Sequence, residues 1–233
     1  MMGNPLSLDP LFNIGPVPIT APVVVTWAII AGLALFSILA TRRLRLLPGR
    51  TQTLLELIVT TLDGQIRDTM DRDPAPYRPL IGTIFLFVLV ANWSSLIPGI
   101  EPPTAHIETD AALALIVFAA TVGFGISRLG LKGYLATFAE PSWVMIPLNI
   151  VEQITRTFSL IVRLFGNMMS GVFVIGIVLS LAGLFVPIPL MALDLLTGAV
   201  QAYIFAILAT VFIGAAVGDP PNRAKSPKEG TEQ

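Results

Sequence analysis

From Trp143 to Leu184 the chain runs through some 40 mostly apolar residues, and near the middle of that run stands Arg163. As one helix such a run is about 60 Å long, twice the hydrocarbon thickness of a bilayer, so it must tilt, kink or protrude. It also carries Glu152, Arg156 and Asn167. An arginine at bilayer depth costs about 2.5–3.5 kcal/mol on insertion scales, so it belongs against protein or a water-filled path rather than lipid. An ionisable residue at that depth reads as a functional site, and the bland alternative for Arg163 is a structural ion pair with Glu152 or Asp194.

Composition sets the class. The 233 residues are 54% hydrophobic and only 12% charged, about half the charged share of soluble domains, and mean hydropathy is +0.80. This is a polytopic membrane protein. Net charge is −1, which gives no case for nucleic acid, and there are no cysteines, which excludes disulfides and thiolate metal sites. His106 is the single histidine, too few for an all-protein zinc site. No metal or cofactor is expected. The amino end lacks the basic segment and cleavage site of a signal peptide, so the first apolar run is expected to stay as a span.

The apolar runs predict an all-α integral membrane protein, a single membrane domain over 1–233, with five crossings at 23–41, 80–98, 111–127, 143–184 and 190–217. The last two are expected to form a long tilted hairpin around Val186-Pro187-Ile188-Pro189. Residues 51–70 differ: Leu54, Leu57, Ile58, Leu62 and Ile66 recur at helical spacing among charged positions, which predicts an amphipathic helix at the membrane interface. Residues 1–22 read as an outer segment without regular structure, 71–79 as a turn-rich link, 98–110 as an acidic loop, 128–142 as a loop, and 218–233 as a cytoplasmic tail. All 14 Lys and Arg fall in 42–78, 128–132, the fourth span or the tail. With the cation-free segments outside, the positive-inside rule holds at every loop, which places the amino terminus outside and the carboxyl terminus in the cytoplasm.

Within the fourth span Glu152, Arg156, Arg163, Asn167 and Ser170 are spaced 4, 7, 4 and 3 apart and draw one polar stripe on a helix. In the fifth, Asp194 and Gln201 lie two turns apart on one face, and Ala199, Ala202, Ala206 and Ala209 form a small-residue seam for close packing. A guanidinium in low dielectric attracts a carboxylate and favours its ionised form. If a partner brings a protonated carboxyl group from lipid to Arg163, the proton is released there. The same fixed charge blocks a straight leak between two aqueous half-paths, and Arg, unlike Lys, keeps its charge when buried.

These residues resemble a known family. Arg163-Leu-Phe-Gly-Asn-Met168, with Asn149-Ile-Val-Glu152 and Ser159-Leu160 before it, is similar to the fourth-span signature of subunit a of rotary F-type ATP synthases. Val200-Gln-Ala-Tyr-Ile-Phe205 resembles its last-span signature, and Asn13 to Thr20 and Gln52 to Glu56 resemble its amino-terminal and interfacial patterns. The resemblance implies a stator subunit of a bacterial plasma-membrane ATP synthase, partnered by a ring of c subunits and b-type peripheral stalk subunits, that guides H+ or Na+ through two half-channels. It makes and breaks no covalent bond itself, the nucleotide sites lying elsewhere in the complex. It also implies roles: Arg163 facing the c-ring carboxylate, Asn167 and Gln201 as its polar neighbours, Glu152 on the cytoplasmic access path and Asp194 on the path to the outer side. Val172 stands where some relatives carry a Glu that partners the position of Asp194, Thr157 replaces a frequent Pro, and Thr104-Ala-His-Ile-Glu-Thr-Asp110 departs from the usual outer loop. These departures resemble the alternative N-type ATPases.

Bland readings stand beside several residues. Arg156 pairs with Glu152 one turn back or snorkels; Asn167 and Gln201 make plain helix–helix hydrogen bonds; Asp194 and Glu152 are ordinary exposed carboxylates; His106 is a solvated loop residue. A self-contained channel or secondary transporter is the alternative function, but the absence of Pro between Leu148 and Val186 gives no broken helix of the kind such proteins use at a substrate site. Gly125 and Gly130 have phosphate-loop spacing without the following Lys-Ser/Thr, so no nucleotide site is expected.

Overall fold

The computed structural model describes residues 10–14, 17–42, 49–97, 100–139, 143–183 and 185–218. Parts of the sequence reading therefore lie outside the described residues: positions 1–9, Arg43 and Arg45 of the basic cluster, Pro98 and Gly99, Pro141, Leu184, and the tail from 219 onward. Within the rest, five helices are long and apolar enough to cross a membrane, in an architecture that is helical apart from one short ribbon.

That ribbon corrects the expectation for the amino segment. Strands β1 (Pro10–Ile14) and β2 (Val17–Thr20) pair antiparallel, with Asn13 opposite Pro18. β2 leads directly into α1 (Ala21–Thr41), whose start suits a helix because Pro22 lies in its first turn, where its missing N–H has no intrahelical partner to lose. Most of α1 is exposed, including Trp27, Leu35 and Phe36, as suits a helix that meets lipid.

Helix α2 (Arg50–Met70) shows the expected amphipathic split. Leu62, Ile66 and Met70 are buried, while Leu54 and Leu57 at its other end stay exposed. Asp63 accepts a hydrogen bond from Arg78 Nε at 2.6 Å, which ties α2 to the start of α3 (Arg78–Trp93). Arg72 Nη2 donates to the Gly218 carbonyl at 3.2 Å and so caps α6 (Pro187–Val217). Ile66, Met70, Tyr77, Ile81, Ala206, Ile213 and Val217 close this end of the molecule as one buried cluster.

Two loops predicted from sequence are largely helical. The acidic stretch 98–110 contains a turn of 3-10 helix at Pro103–Ala105, and α4 (Ile107–Ala139) begins at Ile107, so Asp110 lies in a first helical turn. It is fully buried, and neither carboxyl oxygen has a hydrogen-bond partner among the described residues. The expected loop 128–142 is helix up to Ala139, interrupted at Gly130 (φ 71°, ψ 164°), a conformation open to glycine almost alone. In a straight helix nine residues span about 13 Å, yet the Tyr134 ring packs against Gly125, so the chain folds back at this break.

Helices α5 (Ile146–Ala182) and α6 make the predicted long hairpin. At 37 and 31 residues they are about 55 and 46 Å long, more than a bilayer core demands. Leu160, Leu164 and Met168 form the buried edge of α5, spaced four apart. On α6 the predicted seam is close to complete: Ala202, Ala206 and Ala209 are buried, and Ala199 is half-buried. These edges meet Ile84, Val88 and Ala91 of α3 and Ala114 and Val117 of α4 in the main core. The core is thus built by the last four spans, while α1 lies against its outside.

Candidate functional site

The polar stripe of α5 divides when it folds. Leu160 and Leu164 turn one edge inward, which rotates Arg163 to the outside. Arg163 is exposed and makes no ion pair or hydrogen bond with any described residue. The structural ion pair considered for it is absent, since its candidate partners are engaged elsewhere: Glu152 with Arg156, and Asp194 with Ser95. Along the same exposed face Thr155, Ser159, Gly166 and Ser170, together with Arg163, follow one another at spacings of three or four. Small side chains of this kind let another helix approach closely in a membrane.

On one side of Arg163 lies a cleft of about 240 Å³ lined by Asn149, Glu152, Gln153 and Arg156 of α5, Tyr134 and Thr137 of α4, and Phe212 of α6. Glu152 and Arg156 form an ion pair one helical turn apart, the pairing foreseen for Arg156. The Arg156 guanidinium also lies 5.4 Å from the centre of the Phe212 ring, within the range of a cation–π contact. Asn149 Nδ2 donates to the Phe138 carbonyl at 2.8 Å and holds the end of α4 beside this cleft.

On the other side of Arg163 a second cleft of about 210 Å³ is lined by Asn167, Ser170, Gly171, Asp194 and Thr197. Asn167 and Asp194 therefore come together across the α5–α6 hairpin, as two of the sequence candidates. Glu152 belongs to the other cleft. Gln201 lines neither; it is buried in α6 two turns beyond Asp194. The amide nitrogens of Gln201 and Asn167 are buried without a hydrogen-bond partner among the described residues, so neither forms the plain helix–helix bond considered for it. Such groups are costly to leave unpaired, by about 1–3 kcal/mol each.

Several residues around Asp194 were not anticipated. At the end of α3, Asn92 Nδ2 donates to the Gly198 carbonyl at 2.9 Å, and Trp93 Nε1 donates to the Leu195 carbonyl at 3.2 Å. Thr104 Oγ1 donates to Asn92 Oδ1 at 2.8 Å, which fixes the buried Asn92 amide. Ser95 Oγ lies 3.2 Å from Asp194 Oδ2. The only hint in the sequence was the polar run Asn92-Trp93-Ser94-Ser95 at the close of an otherwise apolar span. His106 is not the solvated loop residue expected: its side chain is mostly buried, with Nε2 3.4 Å from Glu101 Oε2, at a largely apolar cleft that includes Val172. Among the described residues, no cluster of His, Cys, Asp or Glu could hold a metal ion.

Comparison with known proteins gives the family. The family described as ATP synthase A chain matches residues 23–214. The chain is 62% identical over 218 residues to "ATP synthase subunit a 2" of Bradyrhizobium sp. (strain BTAi1), covering 94% of this chain and 98% of that one. It is 48% identical over 216 residues to "ATP synthase subunit a" of Albidiferax ferrireducens, covering 92% and 91%. With "ATP synthase subunit a 1" of Chlorobaculum parvum the identity is 50% over 208 residues, covering 88% and 92%. The match runs from the first membrane helix almost to the end of the last and includes Arg163, so this multi-pass membrane chain belongs to the ATP synthase A chain family.

Proposed function

We propose that this chain is the stationary half of the ion path in a rotary ATP synthase, with Arg163 facing the carboxylates of a rotating c-ring. The observation that carries the reading is the position of Arg163: outward-facing, without a partner among the described residues, and set between two separate clefts, each of which holds polar and charged side chains. Glu152 and Asn167, one in each cleft, are 15 residues apart, or about 22 Å along the helix axis. Two shallow clefts offset in this way cannot conduct straight through. An ion must leave the first cleft on a carrier and reach the second by the carrier's motion.

A c-ring carboxyl group supplies that carrier. Turning from lipid towards Arg163, it meets a fixed positive charge that favours its ionised form, and it releases its ion to one cleft. It takes up an ion from the other before re-entering lipid neutral. Arg163 thereby acts as both ion-release device and barrier, and the exposed Thr155, Ser159, Gly166 and Ser170 give the ring helix room to come close. Glu152 serves the cleft on the cytoplasmic side, Asp194 and Asn167 the cleft on the outer side, and Gln201 supports the arginine region from α6. The direction of ring rotation sets whether ion flow drives ATP synthesis or ATP hydrolysis pumps ions.

Sidedness follows the cations. Arg72 and the end of α6 meet at one face, and both belong to cation-bearing segments. Thr104, Asn92 and Gly198 meet at the other, beside a loop and a turn that carry no Lys or Arg. In a bacterial inner membrane the positive-inside rule supports a cytoplasmic location for the first face and an outer location for the amino terminus, and the b-type peripheral stalk would be the remaining stator partner.

The chain has no native cysteine, so single cysteines report access cleanly. In the assembled complex, Glu152→Cys should react with a membrane-impermeant thiol reagent supplied from the cytoplasmic side, and Ser170→Cys with the same reagent from the outer side. Reaction of both from one side would contradict two opposed half-paths.

A further inference from the structure

Asp194 is held from two directions. Its Oδ1 lies against the backbone of Gly171 on α5, where any larger side chain would overlap it. Its Oδ2 faces Ser95 Oγ at 3.2 Å, from the 3-10 turn Ser94–Leu96 that ends α3. That turn is itself anchored, because Asn92 and Trp93 bind the carbonyls of Gly198 and Leu195 on the same stretch of α6. The carboxyl group is thus bridged between α3 and α5 at the wall of the cleft that it shares with Asn167.

The Ser95 hydroxyl has one proton and two acceptors in reach: the Asn92 carbonyl at 2.9 Å and Asp194 at 3.2 Å. Rotated towards Asp194, it donates to a carboxylate. Rotated towards Asn92, it keeps that proton occupied and offers Asp194 a lone pair, which accepts from a protonated carboxyl group. A hydroxyl beside a second acceptor can therefore serve both forms of an acid without any movement of the backbone.

We propose that Ser95 is a positioning residue for Asp194, holding its carboxyl group in one place in the cleft through both its charged and its neutral form. This rests on the reading of Asp194 as part of the ion path. Ser95 does not carry the ion; it keeps the relay from swinging away between uptake and release. A displaced relay group slows transfer steeply with distance, so loss of the hydroxyl is expected to slow transport about tenfold.

The test uses the assembled complex in proteoliposomes, with ATP-driven ion uptake measured beside incorporation of the subunit, for wild type, Ser95→Ala, Ser95→Thr, Asp194→Asn and the Ser95→Ala/Asp194→Asn pair. Ser95→Ala is expected to be slow with full incorporation. Ser95→Thr, which keeps the hydroxyl, is expected to run close to wild type, and Ser95→Ala is expected to add no further slowing to Asp194→Asn. Equal slowing by Ser95→Ala in both backgrounds would mean a general packing role and overturn the proposal, as would equal loss in the alanine and threonine variants. A wild-type rate in Ser95→Ala, with Asp194→Asn slow, removes only the positioning role. A wild-type rate in Asp194→Asn removes the ion-path reading of Asp194 together with the proposal built on it.

Discussion

Asp194 and Gly171 occupy the same small space: the carboxyl group of one lies where a side chain on the other would stand. The bare backbone at 171 is what lets an acid fit between α5 and α6 beside Asn167. Gly171→Ala is therefore expected to displace the Asp194 carboxyl group. Ion transport should fall by about the same factor as in Asp194→Asn, since a misplaced group loses most of its effect. Transport assays on both variants, with incorporation checked by immunoblot, compare the two; normal transport in Gly171→Ala would mean that the site yields easily.

Asp194→Asn keeps the size of the side chain and its capacity to accept from Ser95, but it removes the ionisable group. Assembly is expected to be retained and transport slowed. An unchanged rate would remove Asp194 from the path and leave it as a structural contact with Ser95.

Asn92 bridges Thr104 and Gly198 in a fully enclosed site. Asn92→Ala leaves the buried Thr104 hydroxyl without its acceptor and removes the tie to the Gly198 carbonyl, which the helix itself still engages. The unpaired hydroxyl costs about 1–3 kcal/mol, so the variant should lower the thermal stability of the subunit clearly. A melting measurement on the detergent-solubilised complex checks this, and Asn92→Ala should affect stability more than the exposed-face change Thr155→Ala.

Gly130 holds a backbone conformation that side chains avoid, although space for a Cβ is open there. Gly130→Ala should therefore destabilise through strain alone, by about 1–3 kcal/mol. The same melting measurement reads it, and no change would show that the fold-back between Gly125 and Tyr134 can form with another local geometry.

The sequence predicted the membrane helices well because long apolar runs have one stable solution in a bilayer, and it predicted the α5 stripe because 3.6-residue periodicity places Glu152, Arg156, Arg163 and Asn167 without any tertiary information. What it missed depends on contacts between distant segments. Stripe membership did not show that Glu152 and Asn167 would open into different clefts, since that needs α4 and α6 in place. Asp110 sits in an acidic, turn-like stretch, and nothing local reveals that the helix begins before it and that its carboxyl group is enclosed. Gly130, among Arg128 and Lys132, looked like a loop; a single glycine that permits a sharp bend makes the segment a broken helix instead. Ser95 could not be found at all by spacing, because its partner lies 99 residues away. The β1–β2 ribbon was hidden by prolines, which mark irregular chain more often than paired strands.

Arg163 is the residue on which the proposed mechanism turns. Purified complexes in proteoliposomes, wild type against Arg163→Ala, would be assayed for ATP-driven ion uptake with and without sodium, together with incorporation of the subunit. Pumping is expected to be abolished in Arg163→Ala with assembly intact, and the sodium dependence of the wild type identifies the ion. Pumping that survives the loss of this guanidinium, in a fully assembled complex, would contradict the role given to Arg163 and make it a structural residue.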